Sequence, residues 1–170
     1  FNHNIPFEEM HRYRDTLKIA AKFHDVGKVG ISDVILKKAF PRFTEEERNI
    51  MKGHTIIGAQ LFEPPESFLD KMSQEISLHH HARWDGGESG YPGNLRVTDF
   101  SIKNGIVPNA PALKGTEIPL SARIVAVADV FDALSHKRCY KESWSLEDSF
   151  AEIQDNAGTQ FDPEIVLAFM

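Results

Sequence analysis

The segment Ile124-Val125-Ala126-Val127-Ala128-Asp129-Val130-Phe131-Asp132-Ala133-Leu134 constrains this chain most, because it is strongly apolar and yet carries two acids. Pro119-Leu120-Ser121 just before it opens a helix, and a helix over 122–134 places Asp129 and Asp132 at i and i+3, on one face. Carboxylates within so apolar a helix are costly to bury unpaired. Two arrangements would satisfy them: an ion pair with Arg123 or Arg138, or, for Asp129, ligation of a metal ion.

The remainder of the chain is also helical in pattern. Residues 8–23 bring Leu17, Ala20, Ala21 and Phe23 to one apolar face. Gly27 and Gly30 break that helix soon after His24-Asp25, so the pair sits near a helix C-terminus. Thr44-Glu45-Glu46-Glu47 reads as a capping box for a helix running to about residue 62, with Ile50, Met51, Ile57 and Leu61 spaced for burial and Pro64-Pro65 as its stop. A third helix is expected over 68–83, with His79-His80-His81 in its last turns. Residues 84–116 hold six of the eleven glycines and three of the nine prolines, and they read as one long irregular loop. A loop of that length inside a compact domain is usually functional or mobile. Ser145 caps a helix over 146–156, and Asp162-Pro163 opens the last one. No strand pattern persists and no internal repeat is present. The expected fold is all-α, a single domain over 1–170 built as a bundle of about six or seven helices.

The single cysteine, Cys139, excludes an internal disulfide framework and fits a reducing, cytoplasmic setting. No apolar run approaches the roughly 20 residues that span a bilayer, and residues 1–9 do not resemble a signal peptide. With no initiator Met, residues upstream of Phe1 are expected. The net charge of −6 argues against polymeric nucleic acid as a partner. It leaves a small phosphorylated ligand open, because divalent ions would reverse the local sign where acids converge.

Imidazoles and carboxylates recur in a pattern that suits metal ligation. His24 and Asp25 are adjacent, as are His80 and His81, and neighbours on a regular helix point about 100° apart. One ion cannot easily take both members of such a pair, whereas a carboxylate bridging two ions can, so two adjacent pairs point to at least two metals. His54, on the side between Ile50 and Ile57-Gly58, and Asp129 complete the set. A mixed imidazole and carboxylate set favours iron, manganese or zinc over calcium or magnesium. Water held between two such ions is a strong nucleophile near neutral pH, and phosphate ester hydrolysis is the chemistry it most often serves. Lys28, Arg138 and Lys141 are the cations available for the outer oxygens of a phosphate. His79 reads as a structural or outer-shell histidine, and His3, His11 and His136 as solvent-facing.

His24-Asp25-Val26-Gly27-Lys28, with the later Gly90-Tyr91-Pro92, resembles the HD-GYP domain, a branch of the HD phosphohydrolase superfamily. The resemblance covers essentially the whole chain. It runs through His54-Thr55-Ile56-Ile57-Gly58, His80-His81-Ala82-Arg83-Trp84-Asp85-Gly86, Ile118-Pro119-Leu120 and Arg123. It continues in Ala128-Asp129-Val130-Phe131-Asp132-Ala133-Leu134, Arg138 with Tyr140-Lys141, and Gly158 with Phe161-Asp162-Pro163. The resemblance implies an all-α metal-dependent phosphodiesterase that hydrolyses cyclic di-GMP to pGpG or GMP, with two or three divalent ions, usually iron or manganese. His24, Asp25, His54, His80, His81 and Asp129 would then be ligands, Asp25 bridging two ions and Lys28 contacting the scissile phosphate. Arg138, Lys141, Tyr91 and Asp132 would meet the dinucleotide, and the Gly90-Tyr91-Pro92 loop is linked in the family to contacts with GGDEF domains. A homodimer is compatible with this reading. The sequence departs from the family pattern in three places. The first family helix has no match, nor does an N-terminal regulatory domain. Ala82 stands where a Glu is usual, and the loop is lengthened between Gly86 and Gly90 and by an insertion over 96–113. The alternatives are an HD-GYP module that binds cyclic di-GMP or a GGDEF partner without turnover, and an HD-superfamily nucleotidase.

Overall fold

The computed structural model describes residues 6–38, 43–93, 112–136 and 143–170. Arg138, Lys141, Cys139 and His3, with nearly all of the 96–113 insertion, lie outside the described residues. The helices are α1 (Phe7–Ala20), α2 (Asp33–Leu36), α3 (Glu45–Lys52), α4 (His54–Gln60), α5 (Phe68–His79), α6 (Leu120–Ser135), α7 (Leu146–Asp155) and α8 (Pro163–Phe169). Short 3-10 turns at Ala21–Phe23 and Val26–Gly30 flank His24-Asp25. The only β pairing among the described residues is an isolated bridge between Ala157 and Phe161, so the all-α expectation holds. Among the described residues no helix is long and apolar enough to cross a membrane.

Two apolar clusters meet on α6. Val125 joins Ala20 of α1 and Met72 and Ile76 of α5, with Tyr13, Leu17, Ala21 and Leu69 packed around them. Ala126 and Val127 face the other way, against Ile153 of α7 and Phe161, Ile165 and Val166 at and within α8. A helix covered on both sides has to be apolar nearly all round, which accounts for the composition of 122–134.

Several start signals act as read. Thr44 accepts from the Glu47 N–H at 3.2 Å and the Glu47 carboxylate accepts from the Thr44 N–H at 2.8 Å. Ser145 caps α7 and Asp162 caps α8, with Pro163 in the first turn. Two boundaries differ. The helix expected to run from 44 to 62 is interrupted at Gly53, where the Met51 carbonyl accepts from the His54 ring at 2.7 Å and the Lys52 carbonyl from the Thr55 hydroxyl at 3.1 Å. His54 therefore opens α4 instead of lying mid-helix. The helix expected over 68–83 ends at His79, with His80 as its C-cap and His81 beyond it. His11 is half-buried with its ring 4.1 Å from that of Phe7, not free in solvent as its sequence context suggests.

Glycines set the spacing around the histidines. A Cβ on Gly27 would lie 1.9 Å from the His54 carbonyl oxygen and 2.4 Å from the Gly58 amide nitrogen. A Cβ on Gly58 would lie 3.1 Å from that of Ser77. The Val26–Gly30 turn, α4 and α5 thus stack at backbone contact, and the Ser77 hydroxyl ties them further by donating to the Phe23 carbonyl at 3.0 Å.

Arg123 closes the opposite side of α6. Its guanidinium donates to the Ile118 carbonyl at 2.9 Å and to the Asp162 carboxylate at 2.5 Å, and it lies 5.7 Å from the Trp84 ring centroid. The ion pair that the sequence offers for Asp129 or Asp132 is therefore made by Arg123 with Asp162. Asp162 is only 3% exposed, and breaking a buried pair by removing one partner costs about 3–5 kcal/mol. Arg123→Met should lower the unfolding free energy measured by urea denaturation by that order, while Lys37→Met, at an exposed pair with Asp33, should change it by less than about 0.5 kcal/mol. Equal effects of the two substitutions would contradict the role given to Arg123.

Candidate metal centre

The centre is assembled from four places in the chain. His24 and Asp25 follow the turn that ends α1, His54 opens α4, His80 and His81 follow α5, and Asp129 comes from α6. Three of the imidazoles are oriented in the same manner. His24 Nδ1 is 2.8 Å from the Ala21 carbonyl, His54 Nδ1 is 2.7 Å from that of Met51, and His80 Nδ1 is 2.9 Å from that of Ile76. A backbone carbonyl accepts only from N–H, so each Nδ1 carries the proton and each Nε2 can present a lone pair.

Those Nε2 atoms converge on Asp25. His54 Nε2 stands 3.3 Å from one carboxylate oxygen, and His24 Nε2 stands 3.3 Å from the other, which also accepts from Lys28 Nζ at 2.5 Å. Ligand atoms of Asp25, His54, His80 and His81 lie within 4.8 Å of one another, and His24 Nε2 is 3.6 Å from Asp129 Oδ1. The Asp25 carboxylate thus faces two sets of donors: His54, His80 and His81 on one side, His24 and Asp129 on the other.

The donor set fits a cation. His54 and His80 are each 2% exposed, and their Nε2 atoms, like the facing oxygen of Asp25, have no hydrogen-bond partner among the described residues. Buried polar atoms left unsatisfied are rare and cost about 1–3 kcal/mol each. Three of them aimed at one point, all acceptors, are satisfied together by a divalent metal ion.

The protonation states agree. Burial would raise the Asp25 carboxyl, but hydrogen bonds from His24 and Lys28 outweigh it and hold the group well below the usual carboxylate range. Burial pushes His54 down, takes His80 to about 3 and takes His81 to about 2, the last two helped by neighbouring imidazoles. These rings are neutral at pH 7, the form that binds metal. His24 goes the other way: its hydrogen bond to Asp25 raises it against the effect of burial.

Of the other sequence-derived residues, Lys28 is at the centre through Asp25. Tyr91 is there too, its ring stacked 4.5 Å from that of His81, with the loop held by a bond from the Tyr91 N–H to the His81 carbonyl at 3.2 Å. Asp132 lies on the outer side of α6, 68% exposed at its side chain and 3.1 Å from His136 Nδ1. His79 stands outside the cluster, and burial lowers its pKa to about 4. The sequence reading missed Lys52, whose Nζ lies 5.4 Å from the Tyr91 ring centroid. It also missed the three carbonyls that orient the rings, for which the only signal was a residue three or four positions before each histidine.

The sign of the pH dependence follows from these shifts. Lowered pKa values at His54, His79, His80 and His81 mean that the folded chain binds fewer protons than the unfolded one below about pH 6.5, so stability is lost as pH falls from there toward 4. The raised value at His24 acts in the opposite sense, contributing below about pH 6.5 and fading as pH rises through its folded value. Four groups outweigh one. The melting temperature should therefore fall between pH 7 and pH 5, and stabilisation by added manganese should shrink over the same interval. A metal-induced shift equal at both pH values would contradict the assignment of neutral imidazoles as the ligand form.

A family model described as HD domain matches residues 7–134, and a second model of the same description matches 108–165. A protein of Thermotoga maritima named cyclic di-GMP phosphodiesterase is 42% identical over 154 residues, covering 91% of this chain and 36% of its own length. The cyclic di-GMP phosphodiesterase response regulator RpfG of Xanthomonas campestris is 40% identical over 154 residues, 91% of this chain and 35% of its own. A 3′3′-cGAMP-specific phosphodiesterase 2 of Vibrio cholerae is 38% identical over 152 residues, 89% of this chain and 25% of its own. The chain spans about a third or less of the length of these curated relatives. With its buried His/Asp cluster and its helical frame, the chain belongs to the HD domain family, in the HD-GYP branch that the ordered motifs indicate.

Proposed function

We propose that this domain is a metal-dependent phosphodiesterase for 3′,3′-linked cyclic dinucleotides, with cyclic di-GMP as its substrate and pGpG or GMP as product. The observation that carries the reading is the Asp25 carboxylate, faced on both sides by imidazole nitrogens and held ionised beside Lys28. His24, Asp25, His54, His80, His81 and Asp129 would hold two or three divalent ions, iron or manganese by the mixed nitrogen and oxygen donor set. When bound, the ions supply Lewis acidity and an activated water for attack on the phosphodiester.

The chain's own residues supply the rest. Lys28 places a cation beside Asp25, where it can neutralise charge developing on the scissile phosphate. Tyr91, stacked on His81, offers an aromatic face at the edge of the centre. Arg138 and Lys141 are the further cations for the dinucleotide. Asp132, on the exposed side of α6, is the outermost contact assigned to it. The Tyr91 loop is also the surface assigned to a GGDEF partner.

A second substrate is favoured by a specific observation. One relative named as a 3′3′-cGAMP-specific phosphodiesterase matches nearly as well as those named for cyclic di-GMP, at 38% identity against 40–42%. The two dinucleotides share the scissile linkage and differ in one base. Competition between them for the same protein sample decides which is preferred.

The test is turnover by protein purified anaerobically with iron or manganese, with linear products separated by chromatography. Linear dinucleotide should appear with the loaded protein and cease after chelation. Lys28→Met should reduce kcat by about 10²–10³-fold, the usual effect of removing one group that stabilises transition-state charge, and Asp25→Ala should abolish turnover. Full activity in Asp25→Ala would overturn the mechanism, and a loaded protein that binds the dinucleotide without cleaving it would establish the binding-module alternative.

A further inference from the structure

Three lysines among the described residues are half-buried: Lys28, Lys38 and Lys52. Two of them meet a carboxylate, Lys28 that of Asp25 and Lys38 that of Glu47. Lys52 meets none among the described residues, and its Nζ stands instead 5.4 Å from the Tyr91 ring centroid. Withdrawing an ammonium from water is costly without a counter-ion, and an aromatic face offsets only part of that cost.

The position of that charge is set by the centre itself. Lys52 is the last residue of α3. On either side of it the backbone is tied to the turn that opens α4, the Met51 carbonyl accepting from the His54 ring and the Lys52 carbonyl from the buried Thr55 hydroxyl. Tyr91 is tied down as well. Its ring lies 4.5 Å from that of His81 and 6.2 Å from that of His54, and its N–H donates to the His81 carbonyl. The Lys52 ammonium is thus one aromatic ring away from the imidazoles, while Lys28 reaches the centre at Asp25. Each ammonium has three donors, and no described residue accepts from those of Lys52. A second cation beside a site that gathers divalent ions is unfavourable in itself, unless one anion spans both.

A cyclic dinucleotide is such an anion. It carries two phosphodiesters in one ring, so while one lies at the metal centre the other is held close beside it. Lysine binds phosphate as a point charge, without the paired geometry that arginine requires. We propose that Lys52 binds the phosphodiester that is not being cut, as Lys28 faces the one that is. The inference rests on the cyclic-dinucleotide reading of the site. It makes Lys52 a specificity residue, favouring a substrate with two phosphates over a diester with one.

The experiment compares the natural protein, Lys52→Met and Lys52→Arg, all loaded with manganese, on cyclic di-GMP and on bis(p-nitrophenyl) phosphate, which has a single phosphate. Lys52→Met should raise KM for cyclic di-GMP by about 10–100-fold, the range for a lost charge-assisted hydrogen bond, with kcat little changed. Turnover of bis(p-nitrophenyl) phosphate and affinity for manganese should be unaltered, and Lys52→Arg should recover most of the KM. An unchanged KM for cyclic di-GMP would overturn the inference. So would an equal loss on both diesters or weaker manganese binding, either of which would make Lys52 a support for the Tyr91 loop. If the natural protein binds cyclic di-GMP without cleaving it, the phosphodiesterase reading falls while the comparison moves to Kd: a loss of the same size in Lys52→Met sustains the inference, and equal affinities overturn it. A natural protein that neither binds nor cleaves cyclic di-GMP overturns both.

Discussion

Everything at the centre depends on one carboxylate. Asp25 sits where α1 gives way to a 3-10 turn, with backbone angles outside the helical range, and each of its oxygens meets an imidazole Nε2 at 3.3 Å. A carboxylate oxygen that faces the lone pairs of neutral imidazoles, as the buried one faces His54 and His80, is stable only if positive charge stands among them. Lys28 supplies part of that charge from one side. The buried side, where one oxygen and two Nε2 atoms remain without partners among the described residues, calls for a cation that the chain does not itself provide.

The surrounding fold can be understood as the means of holding that arrangement against its own repulsion. Carbonyls of Ala21, Met51 and Ile76 decide which nitrogen of each ring turns inward. Gly27 and Gly58 let the turn, α4 and α5 approach to backbone contact, so that histidines distant in sequence share one small volume. The Met51 carbonyl takes the His54 ring at the point where α3 ends and α4 begins. Helix α6 brings Asp129 to the same place while its two apolar faces join the clusters of the domain. Local helix continuity is given up at Gly53 and at His80 in exchange for ligand direction.

Much of this was legible in the sequence, for identifiable reasons. The capping box at Thr44 and the Asp162-Pro163 start follow from short-range chemistry, and the structure carries both as read. Of the residues that adjacent ligand types and an acid in an apolar helix suggested, Asp25, His54, His80 and His81 lie together, and His24 stands between Asp25 and Asp129. What periodicity could not show was the break at Gly53 and the early end of α5, because there the His54 and His80 rings compete for the Met51 and Ser77 carbonyls that a continuous helix would use. The destination of Arg123 was hidden as well. Its partner Asp162 is distant in sequence, and nothing local distinguished it from the acids on α6. Arg138 and Lys141 lie outside the described residues.

The most direct measurement of the central claim is anomalous diffraction from crystals grown with manganese, recorded for the natural sequence and for Asp25→Asn. The account predicts at least two manganese peaks in the natural protein, one on the His54, His80 and His81 side of the Asp25 carboxylate and one on the His24 and Asp129 side, with loss of occupancy in the variant. A single peak away from Asp25, or two peaks unchanged in Asp25→Asn, would contradict it.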